Sequence, residues 1–441
     1  MPNAPSTGGI PSLPSRPRRM HLAAFVEGVN HTTVWRDPRA GDQMAFSSFR
    51  HAARTAERGL FDFFFLGQGL RMREQRGELF ELDIAGRPDS FALLAALSEV
   101  TDRIGLAATV NTTFYEPAEL ARAFGTLDHL SGGRAAWNMV TSSDAFTGAN
   151  FRRGGYLPYA DRYVRAREVL SACRALWERA PASTAPAEYA GRYVDVRGRP
   201  AIPPSPQGQP ILIQAGDSSG GRDFGVSVAD VIFSRHSGLD EGIAFRRDID
   251  ARAVAAGRAP ESVLVLPIAR IVLGDTARDA AERAREIGFA QIGPERALAF
   301  AEQVWGRDLH GWDPDGPLPD IGPDVRDAPV MQGRVQSKAD PRATVASWRA
   351  LAERDGHTLR SLMVEIYAKP TFVGSPEEVA TTMAERFRAG ACDGYVLSTH
   401  LMPSGLDDVV ADVVPLLQEA GLFRTGYEGG TLRDLLFPRV S

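Results

Sequence analysis

Residues 210–234, PILIQAGDSSGGRDFGVSVADVIFS, read as one complete strand, turn, helix and strand. Residues 210–215 form a short apolar run, 216–221 a turn of small and hydroxyl residues, 222–229 a helical stretch and 231–234 a second apolar run. A strand that returns to another strand through one helix belongs to a parallel sheet, because parallel neighbours need a crossover of about a dozen residues.

Working outward, the same unit recurs about eight times. Strands are expected at 21–29, 61–66, 104–110, 134–141, 210–215, 231–234, 263–272 and 394–399. Helices are expected between them at 45–58, 90–100, 117–130, 160–178, 222–229, 240–256, 275–287 and 376–389. Eight repeats in 441 residues favour a closed (β/α)8 TIM barrel over an open sheet, with function in the loops that follow the strands. Gly59 and Gly390 read as helix stops. Ser375-Pro376-Glu377-Glu378 reads as a capped start, with proline in the first turn and acids at the positive end of the dipole.

Three segments break the alternation. Residues 142–158, 181–209 and 305–340 are rich in Gly, Pro, Ser or Asp and read as long insertions, the last a candidate lid. Residues 1–19 read as a disordered leader, and 20–441 as a single barrel domain with a C-terminal extension. The net charge of −5 gives no basic excess for nucleic acid, and no run reaches membrane-spanning length. Only Cys173 and Cys392 occur, each in an apolar stretch. That suits buried thiols, no metal site and a reducing cytoplasm. The ordinary dinucleotide, Walker, HExxH and CxxC patterns are missing.

Residues 214–222 carry the richest chemistry. Gly216, Ser218 and the amides of a helix start make an anion cradle, to which Arg222 would add a charge. The same letters, Gly216-Asp217-Ser218-Ser219-Gly220, match a nucleophile elbow, and Asp393 with His400 would complete a serine hydrolase in the usual order. Thr109, Asn111 and Thr113 alternate at the end of one strand and share a side. Asn138 lies inside an apolar strand, where an amide needs a partner. Tyr159 and Tyr163 are four apart, at helical spacing. His31 and His400 follow the first and last strands and are the candidate catalytic side chains. The clustered Phe61, Phe63, Phe64 and Phe65 read as core.

The segments AERGLFDFFFLGQ (56–68), NTTFYEP (111–117), LSGGRAAWNMVTSS (130–143), PPSPQGQPILIQAGDSSGGRDF (203–224), SPEEVA (375–380) and VVPLLQEAGLFRTGYEGGTLRDLL (413–436) run in order through nearly the whole chain. As a set they resemble the nitrilotriacetate/dibenzothiophene-sulfone monooxygenase branch of the bacterial luciferase superfamily. The resemblance implies a barrel that takes reduced FMN (FMNH2) from a separate NAD(P)H-dependent flavin reductase. With dioxygen it would oxidise a small organic substrate by hydroxylation, C–N or C–S cleavage, or a Baeyer-Villiger step. It implies FMN contacts at Gln68, Thr109, Tyr159, Tyr163 and Ser218, with Asn138, Gly216 and Arg222 as further candidates, and a homodimer or homotetramer. Two positions depart from the family pattern: Gln68 stands where an aspartate is usual, and Tyr159 where many members carry histidine. A barrel that binds flavin or cofactor F420 without catalysis is the third reading.

Overall fold

The structure is a computed structural model that describes residues 19–26, 32–80, 83–142, 144–151, 157–178, 186–199, 202–324, 331–332 and 340–438. Its centre is a ring of eight strands: β1 (His21–Val26), β2 (Phe63–Leu66), β3 (Gly105–Asn111), β4 (Ala135–Val140), β5 (Ile211–Gln214), β6 (Val231–Ser234), β7 (Leu264–Leu273) and β8 (Gly394–Ser398). Each is parallel to both neighbours, and β8 returns to β1 through His21↔Gly394 to Phe25↔Ser398, which closes the barrel. All eight expected strands are therefore present. Around them lie the crossover helices α1 (Phe46–Arg58), α2 (Ser90–Ser98), α3 (Pro117–Leu130), α4 (Arg162–Trp177), α5 (Ser219–Val228) and α6 (Leu239–Ala255).

Alternation decides what fills the ring. Residues two apart on a strand share a face, so Ala23, Phe63, Phe65, Ala107, Ala136, Ile211, Ile213, Val231, Phe233, Leu264, Leu266 and Val396 gather in one buried cluster. The intervening positions, such as Leu22, Phe64, Leu106 and Trp137, pack outward with helical residues in the larger core. The expected core phenylalanines are all buried, as are both cysteines.

The N-terminal face of the barrel is closed by the C-terminal extension. Leu432, Leu435 and Leu436, on the short helix Leu432–Leu436, join the inner cluster, and Leu432 donates its amide to Gly133 at 2.9 Å. Beside them lies a buried ionic knot. Asp62 accepts from Arg424 at 2.6 Å, from the Leu22 amide at 2.8 Å and pairs with His21 at 2.9 Å. Burial alone would raise the Asp62 pKa, but Arg424 and His21 outweigh it and leave the carboxyl lowered.

Between β7 and β8 the chain adds α7 (Ala277–Gln291), α8 (Pro294–Trp305), α9 (Pro341–Asp355) and α10 (Leu359–Tyr367) before α11 (Pro376–Arg388). Helices α8, α9 and α10 were not expected from the pattern. They bury a core of their own around Trp305, Trp348, Leu359 and Leu362. Their signals were nonetheless local: Pro294 and Pro341 in the first turns, and Gly306 and Gly356 in left-handed conformation at the ends. The Met331–Gln332 strand pairs with Glu74–Gln75, which forms a hairpin with Glu78–Leu79, and so ties the loop after β2 to this insertion. Within the expected insertion at 181–209, strands Ala187–Ala190 and Asp195–Gly198 form a hairpin.

Two helix ends test the boundary chemistry. Ser375 and Glu378 form a reciprocal capping box, and Gly390 has φ 76°. Gly59, however, has φ −75°, and the left-handed residue is Leu60. A Cβ at 59 would sit 2.6 Å from Val410, so close packing explains that glycine. No helix among the described residues is long and apolar enough to cross a membrane. Replacing Asp62 by Asn is expected to cost about 3 kcal/mol, because it leaves the Arg424 charge buried without its counter-ion. Urea unfolding of the variant measures this.

Candidate active site

At the C-terminal face the inner layer changes from apolar to polar. Phe25 and Phe65 stack with centroids 4.5 Å apart, and Phe65 meets Phe233 edge-on at 5.0 Å. On the same inner face Thr109 and Asn138 sit side by side in the β3–β4 register. The Asn138 amide donates to the Thr109 hydroxyl at 3.1 Å, while its Oδ1 is buried with no partner among the described residues. Just past β2, Gln68 donates to the Tyr115 hydroxyl at 3.3 Å, and its Oε1 is likewise buried and unmatched. Burial raises the Tyr115 pKa, so the phenol stays protonated. Buried acceptors are normally satisfied, so two orphans at one barrel mouth point to a ligand that donates hydrogen bonds.

Asn111, which shares the alternation with Thr109, has a different task. It accepts from the Thr113 amide at 2.6 Å and donates to the Ser142 carbonyl at 3.2 Å, shaping the turn after β3. Thr113 caps no helix, and its buried hydroxyl has no partner among the described residues.

The turn after β5 is built by short-range bonds. Gln214 accepts the Gly216 amide at 2.6 Å, and Ser218 caps α5 by accepting the Gly221 amide at 3.2 Å. The helix begins at Ser219, three residues earlier than the pattern suggested, so Gly220 and Gly221 lie in its first turn. Amides of a first helical turn have no intrahelical acceptor, and they favour an anion. Tyr163 reaches this turn from α4. A Cβ at Gly216 would lie 2.9 Å from its hydroxyl, and one at Gly221 2.7 Å, so only glycine fits under the phenol.

The remaining candidates separate. Arg222 donates to Asp217 at 2.8 Å and to Asp248 at 3.0 Å, so its guanidinium is committed to carboxylates. Tyr159 is 55% exposed, one turn before α4, and its ring and that of Tyr163 stack on Arg162 at 3.5 and 4.1 Å. His31 lies outside the described residues. His400 follows β8, and its carbonyl accepts the Val34 amide at 2.8 Å. Burial, helped by Arg39, lowers the His400 pKa to about 4, so the ring is neutral near pH 7. The hydrolase triad is not assembled. Asp393 precedes β8 at the opposite face and is bound by Arg246 and the Val265 amide, whereas the Ser218 hydroxyl is a helix cap. A cavity of about 630 Å³ beside Asp393 is bordered by arginines already paired within the fold.

Sequence reasoning missed three residues here. Tyr115 partners Gln68, His236 bonds Asp217 at 3.1 Å, and Ser234 ends β6 with a buried hydroxyl that has no partner among the described residues. Tyr115 lay in a quoted motif, and Ser234 ended a recognised strand. His236 carried no local signal.

Two outcomes follow from this geometry. Gly221→Ala is expected to displace Tyr163 or the turn and weaken any anion bound there about tenfold or more, which calorimetric titration reads. For His400 the folded pKa lies below the unfolded value of about 6.5, so the unfolded chain binds the extra proton between them. Stability contributed by the neutral ring is complete above about pH 6.5 and is lost as the pH falls toward 4. A His400→Asn variant should show a flatter decline of melting temperature across that window.

The chain matches the luciferase-like monooxygenase family over residues 25–393. It is 34% identical over 449 residues to the dibenzothiophene-sulfone monooxygenase of Rhodococcus erythropolis (strain XP), covering 96% of this chain and 97% of that one. To the nitrilotriacetate monooxygenase component A of Aminobacter aminovorans it is 33% identical over 445 residues, with 93% and 94% covered. The crystal structure of a long-chain alkane monooxygenase superposes with a TM-score of 0.78 at 27% identity, covering 95% of this chain and 96% of the other. A closed parallel barrel, a polar mouth and similarity along almost the whole chain lead to one assignment: this protein is an enzyme of the luciferase-like monooxygenase family.

Proposed function

We propose that this chain is the oxygenase of a two-component system, in which a separate flavin reductase supplies reduced FMN and dioxygen oxidises a small organic substrate at the barrel mouth. The observation that carries the reading is the turn Gly216–Gly221 under Tyr163, where Gly216 and Gly221 leave room beneath the phenol and the first-turn amides of a helix that lack an intrahelical acceptor suit a phosphate. The relative named as a component A supports the partner reductase.

The residues present fit the flavin. Ser218 and the α5 amides would hold its phosphate, with Tyr163 above them. Thr109, Asn138 and Gln68 would meet its polar edge, since Asn138 Oδ1 and Gln68 Oε1 are acceptors in want of donors. When bound, the reduced flavin supplies the electrons with which dioxygen is activated and one oxygen atom passes to the substrate. The chain's own part is to bind, orient and exclude water. Phe25, Phe65 and Phe233 make an apolar floor that keeps water from the reacting face. Gln68, an amide where the family resemblance leads one to expect an aspartate, would keep hydrogen bonding while leaving out a negative charge beside an electron-rich ring. Tyr159, more than half exposed, would serve as an outer contact.

Anaerobic titration should show stoichiometric binding of reduced FMN, and oxygen uptake with FMN, NADH and a generic reductase across amines, sulfones and ketones should reveal the substrate class. Preference for reduced F420 over reduced FMN in both assays would reassign the cofactor. Ser218→Ala is expected to bind reduced FMN about tenfold more weakly, the worth of one hydrogen bond to a charged group, with turnover retained at saturating flavin. Loss of all turnover with unchanged flavin affinity, or labelling of Ser218 by a fluorophosphonate, would overturn the reading.

A further inference from the structure

Asp217 places a carboxylate inside the very turn that the proposed phosphate would occupy. Left alone it would repel that group, because like charges a few ångströms apart in a partly buried site oppose each other. The structure holds this carboxylate from two sides. Arg222 Nη2 donates to Asp217 Oδ1 at 2.8 Å, and Arg222 Nε bonds the Asp217 carbonyl at 3.1 Å. His236 Nε2 meets the same Oδ1 at 3.1 Å.

The two anchors are not equivalent. Arg222 also serves Asp248 at 3.0 Å, and Asp248 is shared with Arg252 at 2.9 Å, so its charge is divided. His236 comes from the loop after β6, a different strand end from the turn it grips. Its ring stacks on Phe245 with centroids 4.7 Å apart, and its other nitrogen, Nδ1, lies 3.8 Å from Glu241 Oε2. That packing fixes the direction in which Nε2 points. A histidine oriented in this way draws the Asp217 carboxylate toward α6.

We infer that His236 is a positioning residue for the cofactor phosphate: by holding Asp217 Oδ1 it turns a repulsive carboxylate away from the anion cradle and so sets the affinity for a phosphate-bearing flavin. The inference rests on the flavin reading above. It acts on the phosphate alone, since the proposed isoalloxazine contacts lie on β3 and β4 and just past β2.

The test is anaerobic titration of the full chain with reduced FMN and with reduced riboflavin, which lacks the phosphate. His236→Ala is expected to weaken FMN binding about tenfold and leave riboflavin binding unchanged. Asp217→Asn, which removes the charge, is expected to restore FMN affinity in the His236→Ala background. His236→Gln, with an N–H donor in place, should retain most of it. Equal losses for both flavins, an unchanged FMN affinity, or failure of Asp217→Asn to restore it would each overturn the role of His236. If the unaltered protein itself binds FMN no better than riboflavin, the phosphate assignment falls, and this inference with it.

Discussion

Closure of the sheet is the constraint on which the rest of this structure depends. Once β8 pairs with β1, every strand of the ring has a parallel neighbour on each side and the ring itself has no edge, so alternate side chains have only one place to go. The interior then has to be packed. Phe63, Phe65 and Phe233 carry the bulk, while Ala23, Ala107 and Ala136 make room for them. Large residues opposite small ones fill a barrel of fixed radius without strain.

This packing divides the molecule into a stable end and a chemical end. At the N-terminal face the plug of Leu432, Leu435 and Leu436 and the knot of Asp62, Arg424 and His21 complete the core. Removing the extension would expose both apolar surface and buried charge. At the C-terminal face the inner layer runs out of apolar side chains above Ala107 and Ala136, and Thr109 and Asn138 follow. Polar groups left incompletely satisfied cost stability, and here they coincide with the glycine turn of α5. The insertion between β7 and β8, with its own core, stands over this end and is tied to the loop after β2 through a small antiparallel sheet.

Electrostatics around the α5 turn show how a local motif becomes a site. In the proposed phosphate cradle Gly216, Ser218 and Gly221 would make room and cap the helix, whereas Asp217 brings a charge that would work against an anion. Arg222, read in isolation as an anion ligand, is instead half of the arrangement that restrains Asp217, the other half being His236. The orientation of the Asp217 carboxylate therefore depends in part on contacts between the loops after β5 and β6.

What was legible in the sequence was whatever short-range periodicity and backbone chemistry dictate. Eight apolar runs and their crossovers specified the barrel, because alternation and helical spacing are properties of a few consecutive residues. The Ser375 capping box and the glycine turn were readable for the same reason. The helices α8, α9 and α10 had proline and glycine punctuation but bury their faces against one another, so the pattern alone did not announce them. Tertiary structure alone decided which polar residues meet. Closure put Asp393 and Ser218 on opposite faces and ended the hydrolase reading. It turned Asn111 inward to its own loop, left Asn138 Oδ1 open, and brought His236 to Asp217 from another strand. The His236–Asp217 and Asn138–Thr109 contacts join residues of separate strands or of the loops after them, and the distances that create them exist only once those strands are paired.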